Sequence, residues 1–311
     1  MKNVCIIGGT GFIGRNLSAQ LLAREIQTVC LSRRPPDDPM PEGVIHEILD
    51  YSHAEHLEKV FKNADAVIDL AFSSQANVGC TDFLSILPSN LEQKEILYHS
   101  ALRAGVKKYL LISSGGTVYG QAINVPLTET HVTRPISTYG LAKLCLEDHA
   151  RYFQTVHNLP LSIVRPSNPY GPGQKPNRGQ GFIAQAIYSI LSGHLITIFG
   201  DEGTIRDYVY IDDLSEAIAG LLHQNIPADT YNIGSGNGLS NRQVIEKLMP
   251  LAQVEGCEMK ITHKTERPVD VRINILSSRR LQDYTGWVPR TEFSEGIKNS
   301  WLYMRKLKDR L

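Results

Sequence analysis

Two side chains in this sequence are spaced to move a proton at an alcohol. In the stretch STYGLAK, Tyr139 and Lys143 stand four residues apart, at the head of an amphipathic pattern continued by Leu141, Leu144, Cys145 and His149. Such spacing puts both side chains on one helix face. A tyrosine ordinarily gives up its proton near pH 10. An ammonium alongside it, and a second positive charge bound nearby, favour the phenolate and bring the group towards neutrality. Tyr139 then reads as a base for a sugar or alcohol hydroxyl, paired with hydride removal from the same carbon. An isolated YxxxK pattern is common and more often marks a surface tyrosine. This one gains force from the motifs that precede it.

The hydride partner is suggested by VCIIGGTGFIGRNL, which sets Gly8, Gly11 and Gly14 between an apolar run and an amphipathic one, with Phe12 and Ile13 in the turn. Glycine there permits a tight turn, lets backbone N–H groups approach a pyrophosphate, and lets helix pack close to strand. The helix N-terminus adds partial positive charge. The plainer alternative is a glycine-rich turn with no ligand. The next apolar run ends in LSRRPPDD, where an acid would bind the ribose of NAD and an arginine would accommodate the extra phosphate of NADP. Ser32 and Arg33 stand there, which leans to NADP unless Arg33 and Arg34 are merely solvated. Asp50, ending HEILD, is a candidate to meet the adenine. A third element is LISSGGTVYG (111–120), an apolar run ending in Ser113, Ser114, two glycines and Thr117.

These residues need a scaffold, and the sequence supplies one. The runs at 3–9, 28–33, 64–71, 107–114 and 159–166 read as buried strands, alternating with helical patterns such as Leu17, Leu21 and Leu22, or Leu91, Leu97 and Leu102. Continuous apolar runs between helices predict an α/β fold, a Rossmann-type doubly wound parallel sheet. After residue 166 the texture changes. RPSNPYGPGQKPNRGQG reads as loop, followed by a helix near 181–192, strand-like LITIFG and YNIGSG, and a last helix carrying Phe293, Ile297 and Trp301. The expected division is a dinucleotide-binding domain over 1–168, to which segments near 206–234 return, and a smaller, mostly substrate-binding lobe over 169–311.

With Lys+Arg 32 balanced by Asp+Glu 32 and no block of like charge, the chain has no signature of nucleic-acid or membrane-surface binding. Five scattered cysteines without a CxxC, no membrane-length apolar run and no signal-peptide pattern predict a soluble, cytoplasmic protein. No metal is expected: His53 and His56 have no third ligand nearby in sequence. Asp212 and Asp213, before LSEAIAGLL, are expected to cap a helix. The GxG of YNIGSGNG reads as a turn rather than a second phosphate loop.

In this order, Gly8–Gly14, Ser113–Gly120 and Tyr139–Lys143, with RPSNPYGPGQ and GDEGTIRDYVYIDDL, resemble the extended short-chain dehydrogenase/reductase family from residue 2 to about 302. The resemblance is strongest to its NAD-dependent epimerase/dehydratase branch, especially UDP-glucose 4-epimerase-like enzymes. It implies that Tyr139 is the catalytic base and that Lys143 also holds the nicotinamide ribose, with Thr117 as a hydroxyl facing the sugar. It further implies cofactor contacts from Gly8, Gly11, Phe12, Ile13, Gly14, Ser32, Arg33, Asp50, Leu70, Ala71, Asn90, Ser113, Ser114 and Pro166. A UDP-sugar substrate would meet Ser114, Thr117, Tyr139, Asn168, Arg206 and Arg267. The two arginines would clamp its diphosphate, as forked guanidinium donors suit phosphate oxygens; for Arg206 the plainer reading is an ion pair with Asp207 or a neighbour. A homodimer is implied through the helices near 90–103 and 140–155.

Three departures qualify the resemblance. Gly115 stands where such enzymes carry a Ser or Thr, which is expected to leave extra space beside the sugar and shift the proton relay to Thr117, with Ser114 behind it. Asp69 in VIDLA stands where histidine is common. Gly116 and Thr117 replace the acidic pair of a dehydratase, which disfavours dehydration. The leading expectation is a nucleotide-sugar 4-epimerase acting on a UDP-hexose through a transient 4-keto sugar with bound NAD. The alternatives are an NADPH-dependent reductase of a 4-keto nucleotide sugar and a non-catalytic NAD(P)-sensing protein. Pocket size, and with it sugar choice, is expected to depend on loops around 72–85 and 170–200.

Overall fold

The computed structural model describes residues 1–73, 83–176, 181–267 and 270–308; parts of both pocket loops, and Cys80, lie outside these. In chain order the elements of the first half are β1 (Asn3–Ile7), α1 (Phe12–Leu22), β2 (Gln27–Ser32), β3 (Ile45–Ile48), α2 (Ala54–Lys62), β4 (Ala66–Asp69), α3 (Phe83–Ala104), β5 (Lys108–Ile112), α4 (Thr138–Val156) and β6 (Leu161–Pro166). Then follow β7 (Asn168–Tyr170), α5 (Phe182–Leu191), β8 (Leu195–Phe199), β9 (Ile205–Tyr210), α6 (Ile211–Leu221) and β10 (Thr230–Ile233). The chain closes with β11 (Gly238–Ser240), α7 (Asn241–Val254), β12 (Lys260–Lys264), β13 (Ile273–Asn274), α8 (Arg279–Thr285) and α9 (Phe293–Lys308).

Seven strands form one parallel sheet in the order β10-β6-β5-β4-β1-β2-β3. This is the Rossmann-type architecture that the apolar runs predict. Every residue of β4, β5 and β6 is buried, as a strand covered on both faces requires. Successive side chains of β1 feed opposite faces. Val4 and Ile6 join Leu17 and Leu21 of α1 and Ile218 of α6 in one core. Cys5 and Ile7 join Leu57 of α2, Leu97 of α3 and Phe153 of α4 in the other.

Strand order reverses at β1, with β2 on one side and β4 on the other, so the crevice for a ligand opens at the carboxyl ends of β1 and β4. The later elements build over this edge. β9 pairs antiparallel with β11 and parallel with β7 and β13. β8 and β12 form a separate parallel pair. The stretch expected to be loop after residue 166 thus begins with a short strand, β7. Asp212 and Asp213 do not cap α6, whose N-cap is Tyr210 with no side-chain bond. They sit within its first turn, where negative charge is favoured, and the Asp213 carboxylate instead accepts the backbone N–H groups of Arg290 and Thr291. Among the described residues no helix is long and apolar enough to cross a membrane.

Candidate active site

The turn after β1 is shaped by its glycines. Gly8 has φ of 74° and donates its N–H to the Leu31 carbonyl of β2 at 2.8 Å. A Cβ on Gly14 would lie 2.6 Å from the Gly9 backbone, so only glycine lets α1 start this close to the strand. At Gly11, by contrast, a Cβ would meet nothing nearer than the Gly8 oxygen at 3.5 Å. Gly11 is also the N-cap of α1 and no side chain caps that end. The first-turn N–H groups of α1 therefore face open space at the switch point, which suits a pyrophosphate.

A cleft of about 960 Å³ runs from this turn across the carboxyl edge of the sheet. On the dinucleotide side it is lined by Gly8, Gly11, Phe12, Ile13, Gly14, Leu70, Ser113, Ser114, Tyr139, Lys143 and Pro166. Farther along it is lined by Thr117, Asn168, Arg206 and Arg267. Ser32, Arg33, Asp50, Ala71 and Asn90 are outside that lining. Asn90 is fully buried on α3 and clamps the backbone of Ser73, accepting its N–H and donating to its carbonyl, both at 2.9 Å.

At the centre, the Ser137 hydroxyl caps α4 by accepting the Gly140 N–H at 3.1 Å. This fixes the first turn that carries Tyr139, with Lys143 one turn on. Lys143 is buried and its ammonium donates to the Ile112 carbonyl at 3.1 Å. Phe72 packs edge-on against Tyr139, with ring centroids 5.1 Å apart, and under the Lys143 ammonium at 4.4 Å. Burial pushes Tyr139 up to about 12, opposed by a hydrogen bond with Ser114. Burial, then the charge of Lys94, pushes Lys143 down to about 7, against the carboxylates of Asp69 and Glu147. Burial thus favours the protonated phenol and weakens the lysine's hold on its proton. A positive charge beside the phenol would favour its ionised form. Thr117 brings a buried hydroxyl oxygen with no partner among the described residues, an open position for a hydroxylated ligand.

The far end is cationic. Arg206 lines the cleft with no carboxylate paired to it among the described residues; its guanidinium donates to the carbonyl of its neighbour, Ile205, at 3.0 Å. Burial lowers its basicity. Asp207 cannot serve it, because adjacent strand residues face opposite ways. The Asp207 carboxylate accepts the Ser235 and Leu276 N–H groups at 2.7 and 3.1 Å. Arg267 is braced by Asp270 at 2.8 Å and lies 4.0 Å over the Phe199 ring. Among the described residues no cluster of metal-binding side chains occurs, and His56 pairs with Glu47 at 3.3 Å.

The sequence pattern of the NAD dependent epimerase/dehydratase family matches residues 4–234. The chain belongs to this family. It is 30% identical to a UDP-glucose 4-epimerase of Mycolicibacterium smegmatis, over 96% of this chain and 97% of that one. It is 29% identical to a dTDP-4-dehydro-6-deoxyglucose reductase of Escherichia coli, over 95% of each. The crystal structure of the Thermotoga maritima UDP-glucose 4-epimerase with UDP-glucose superposes with a TM-score of 0.89 at 28% identity, covering 98% of this chain and 99% of the other.

Against the family pattern, Gly115 proves to be no vacancy. A Cβ there would fall 2.5 Å from Leu276 Cδ1, 2.9 Å from the Arg165 oxygen and 3.2 Å from the Pro166 oxygen. The expected extra space beside a sugar is therefore absent, because Leu276, delivered just after β13, fills it. Asp69 is fully buried and takes the Lys94 ammonium on both oxygens at 2.7 Å, with the Tyr109 hydroxyl also at 2.7 Å. Lys94 in turn donates to the Ala71 carbonyl at 2.7 Å. A second buried pair, Arg165 with Glu147, holds the Ser113 hydroxyl at 2.5 Å. Sequence reading missed Phe72, Lys94 and Glu147. For Lys94 a signal existed, since Asn90 and Lys94 lie four apart on the buried face of α3, with Ile86 and Leu97. Phe72 carries none, because its contacts come from α4.

Proposed function

We propose that this protein is a nucleotide-sugar 4-epimerase that interconverts UDP-hexoses through a 4-keto sugar, using bound NAD. The observation that carries the reading is a single cleft. It joins an uncapped helix N-terminus, a tyrosine–lysine pair, an unpartnered buried hydroxyl and two arginines in that order. The pyrophosphate of the dinucleotide is assigned to Gly8–Gly14, its nicotinamide end to the region of Leu70, Ser113, Lys143 and Pro166. The UDP-sugar is assigned to Asn168, Arg206 and Arg267, with its hexose between Thr117 and Tyr139. When bound, NAD supplies a hydride acceptor, the donor for the return step and a positive ring. Tyr139 takes the C4 hydroxyl proton and later returns it. Ser114 orients the phenol, Lys143 stabilises its anion, and Phe72 excludes water from both. The expected division at residue 168, a cytoplasmic location and a homodimer through α3 and α4 belong to the same proposal.

A second reading, a reductase of a 4-keto nucleotide sugar, is favoured by the absence of an acid at the end of β2 and by the likeness to the reductase relative. One experiment separates them. The purified protein is assayed for interconversion of UDP-glucose and UDP-galactose and of their N-acetyl forms, and its extracted nucleotide is identified. Interconversion that is lost in Tyr139→Phe supports the epimerase. Consumption of added reduced cofactor with a keto sugar, without interconversion, overturns it.

A further inference from the structure

β4 ends at Asp69, and residues 70–73 belong to no regular element. Main chain of this kind ordinarily runs on the surface and finds its partners in water. Here it is held from within. The Ala71 N–H donates to Asp69 Oδ1 at 3.0 Å, and the Ala71 carbonyl accepts the Lys94 ammonium at 2.7 Å. Two residues on, Asn90 accepts the Ser73 N–H and donates to the Ser73 carbonyl, both at 2.9 Å. Asn90 and Lys94 stand one turn apart on α3, and both are fully buried, as is Asp69. One helix face, with the carboxylate it neutralises, therefore grips the N–H and the carbonyl of Ala71 and of Ser73 alike. The residue between them is Phe72. Its ring lies edge-on to Tyr139, with centroids 5.1 Å apart, and under the Lys143 ammonium at 4.4 Å.

A buried ion pair is a weak source of stability, because apolar side chains of like shape do as well or better. Apolar side chains, however, cannot grip main chain. The ring face that this grip presents carries negative potential towards Lys143. It favours the ammonium that burial disfavours, and the ammonium is the form that stabilises a Tyr139 phenolate. We infer that Asp69 and Lys94 are positioning residues for the proton transfer: with Asn90 they lock the backbone on either side of Phe72 and so hold its ring against Tyr139 and Lys143.

The inference rests on the activity proposed above, and one of its two readouts is free of that activity. Asp69→Leu/Lys94→Met/Tyr109→Phe replaces the ion pair, and the hydroxyl bonded to it, with apolar groups of similar shape. In the dinucleotide-free protein the Ala71 amide of this variant should exchange its hydrogen at least about tenfold faster than in the parent, with Val67 and Ile68 of β4 unchanged. In the interconversion of UDP-glucose and UDP-galactose, Phe72→Leu and the apolar replacement should each lower kcat about tenfold, with KM within about threefold. Combined, they should still lower it about tenfold rather than about a hundredfold, because the pair acts through the ring. Effects that multiply, an Ala71 amide that stays protected, or a Phe72→Leu protein that turns over like the parent each overturn the inference. If the apolar replacement does not fold, the kcat of Phe72→Leu decides. A parent that interconverts no UDP-hexose removes the proposed function, and the exchange measurement then decides the clamp alone.

Discussion

Restoring the hydroxyl that related enzymes carry at position 115 should damage this protein rather than help it. In Gly115→Ser the new Cβ meets the Leu276 methyl at 2.5 Å and the Arg165 and Pro166 oxygens at 2.9 and 3.2 Å. The leucine can turn, but the oxygens belong to β6, which is held between β10 and β5. The Gly115 N–H is itself bonded to the Pro166 oxygen at 2.8 Å, and its carbonyl accepts from Asn274 at 3.0 Å. The loop is thus pinned on both sides. Overpacking of a tight core costs about 1–3 kcal/mol, and contacts with fixed main chain place this case at about 2–3. For a chain of 311 residues that is a fall in melting temperature of about 3–5 °C. Gly115→Ala should cost nearly as much, because the Cβ is what collides. Leu276→Ala alone opens a cavity worth about 2–5 kcal/mol. The double substitution Gly115→Ser/Leu276→Ala should cost less than the sum by about 1 kcal/mol, since one loss relieves the other. Thermal and chemical denaturation of the four proteins gives the cycle directly. A Gly115→Ser protein that melts with the parent and turns over faster would refute the reasoning, as would strict additivity with Leu276→Ala.

Three further outcomes follow from the same geometry. Thr117→Val should leave stability unchanged or raise it by about 1 kcal/mol, because a buried hydroxyl without a partner is removed, while kcat falls about 10²–10⁴-fold; paired melting and turnover measurements check this. Lys143→Met should abolish turnover yet stabilise the dinucleotide-free protein at pH 7. The folded chain holds Lys143 at about 7 against an ordinary 10.5, so between those values the unfolded chain binds more protons and stability rises with pH. Removing the group should add about 2–4 kcal/mol near pH 7 and flatten the profile above it. Asp69→Asn should cost about 3–5 kcal/mol by stranding the buried Lys94 ammonium, and Asp69→Asn/Lys94→Met should recover part of it; urea unfolding of both variants decides.

What the sequence made legible was local. Tyr139 and Lys143 declare themselves because a single helical turn relates them, and Gly8 to Gly14 because strand, turn and helix are contiguous. Arg206 shows how far a local rule reaches. Alternation along β9 already separates it from Asp207, so the ion pair considered for it has no geometry in a strand. Gly115 shows where such rules stop. Its meaning depends on Leu276, more than a hundred and fifty residues away, and no spacing near position 115 announces that neighbour. The same holds for Phe72 and for the Arg165–Glu147 pair.

The plug at Leu276 also shows how the site is divided along the chain. The family pattern ends at residue 234, and residues 1–234 contain all seven strands of the main sheet and the glycine turn. The serine–glycine loop after β5 is nevertheless wedged from beneath by Leu276 and gripped by Asn274, both beyond that boundary. The sheet carries the loop to the cleft, and a segment outside the family pattern sets where the loop rests.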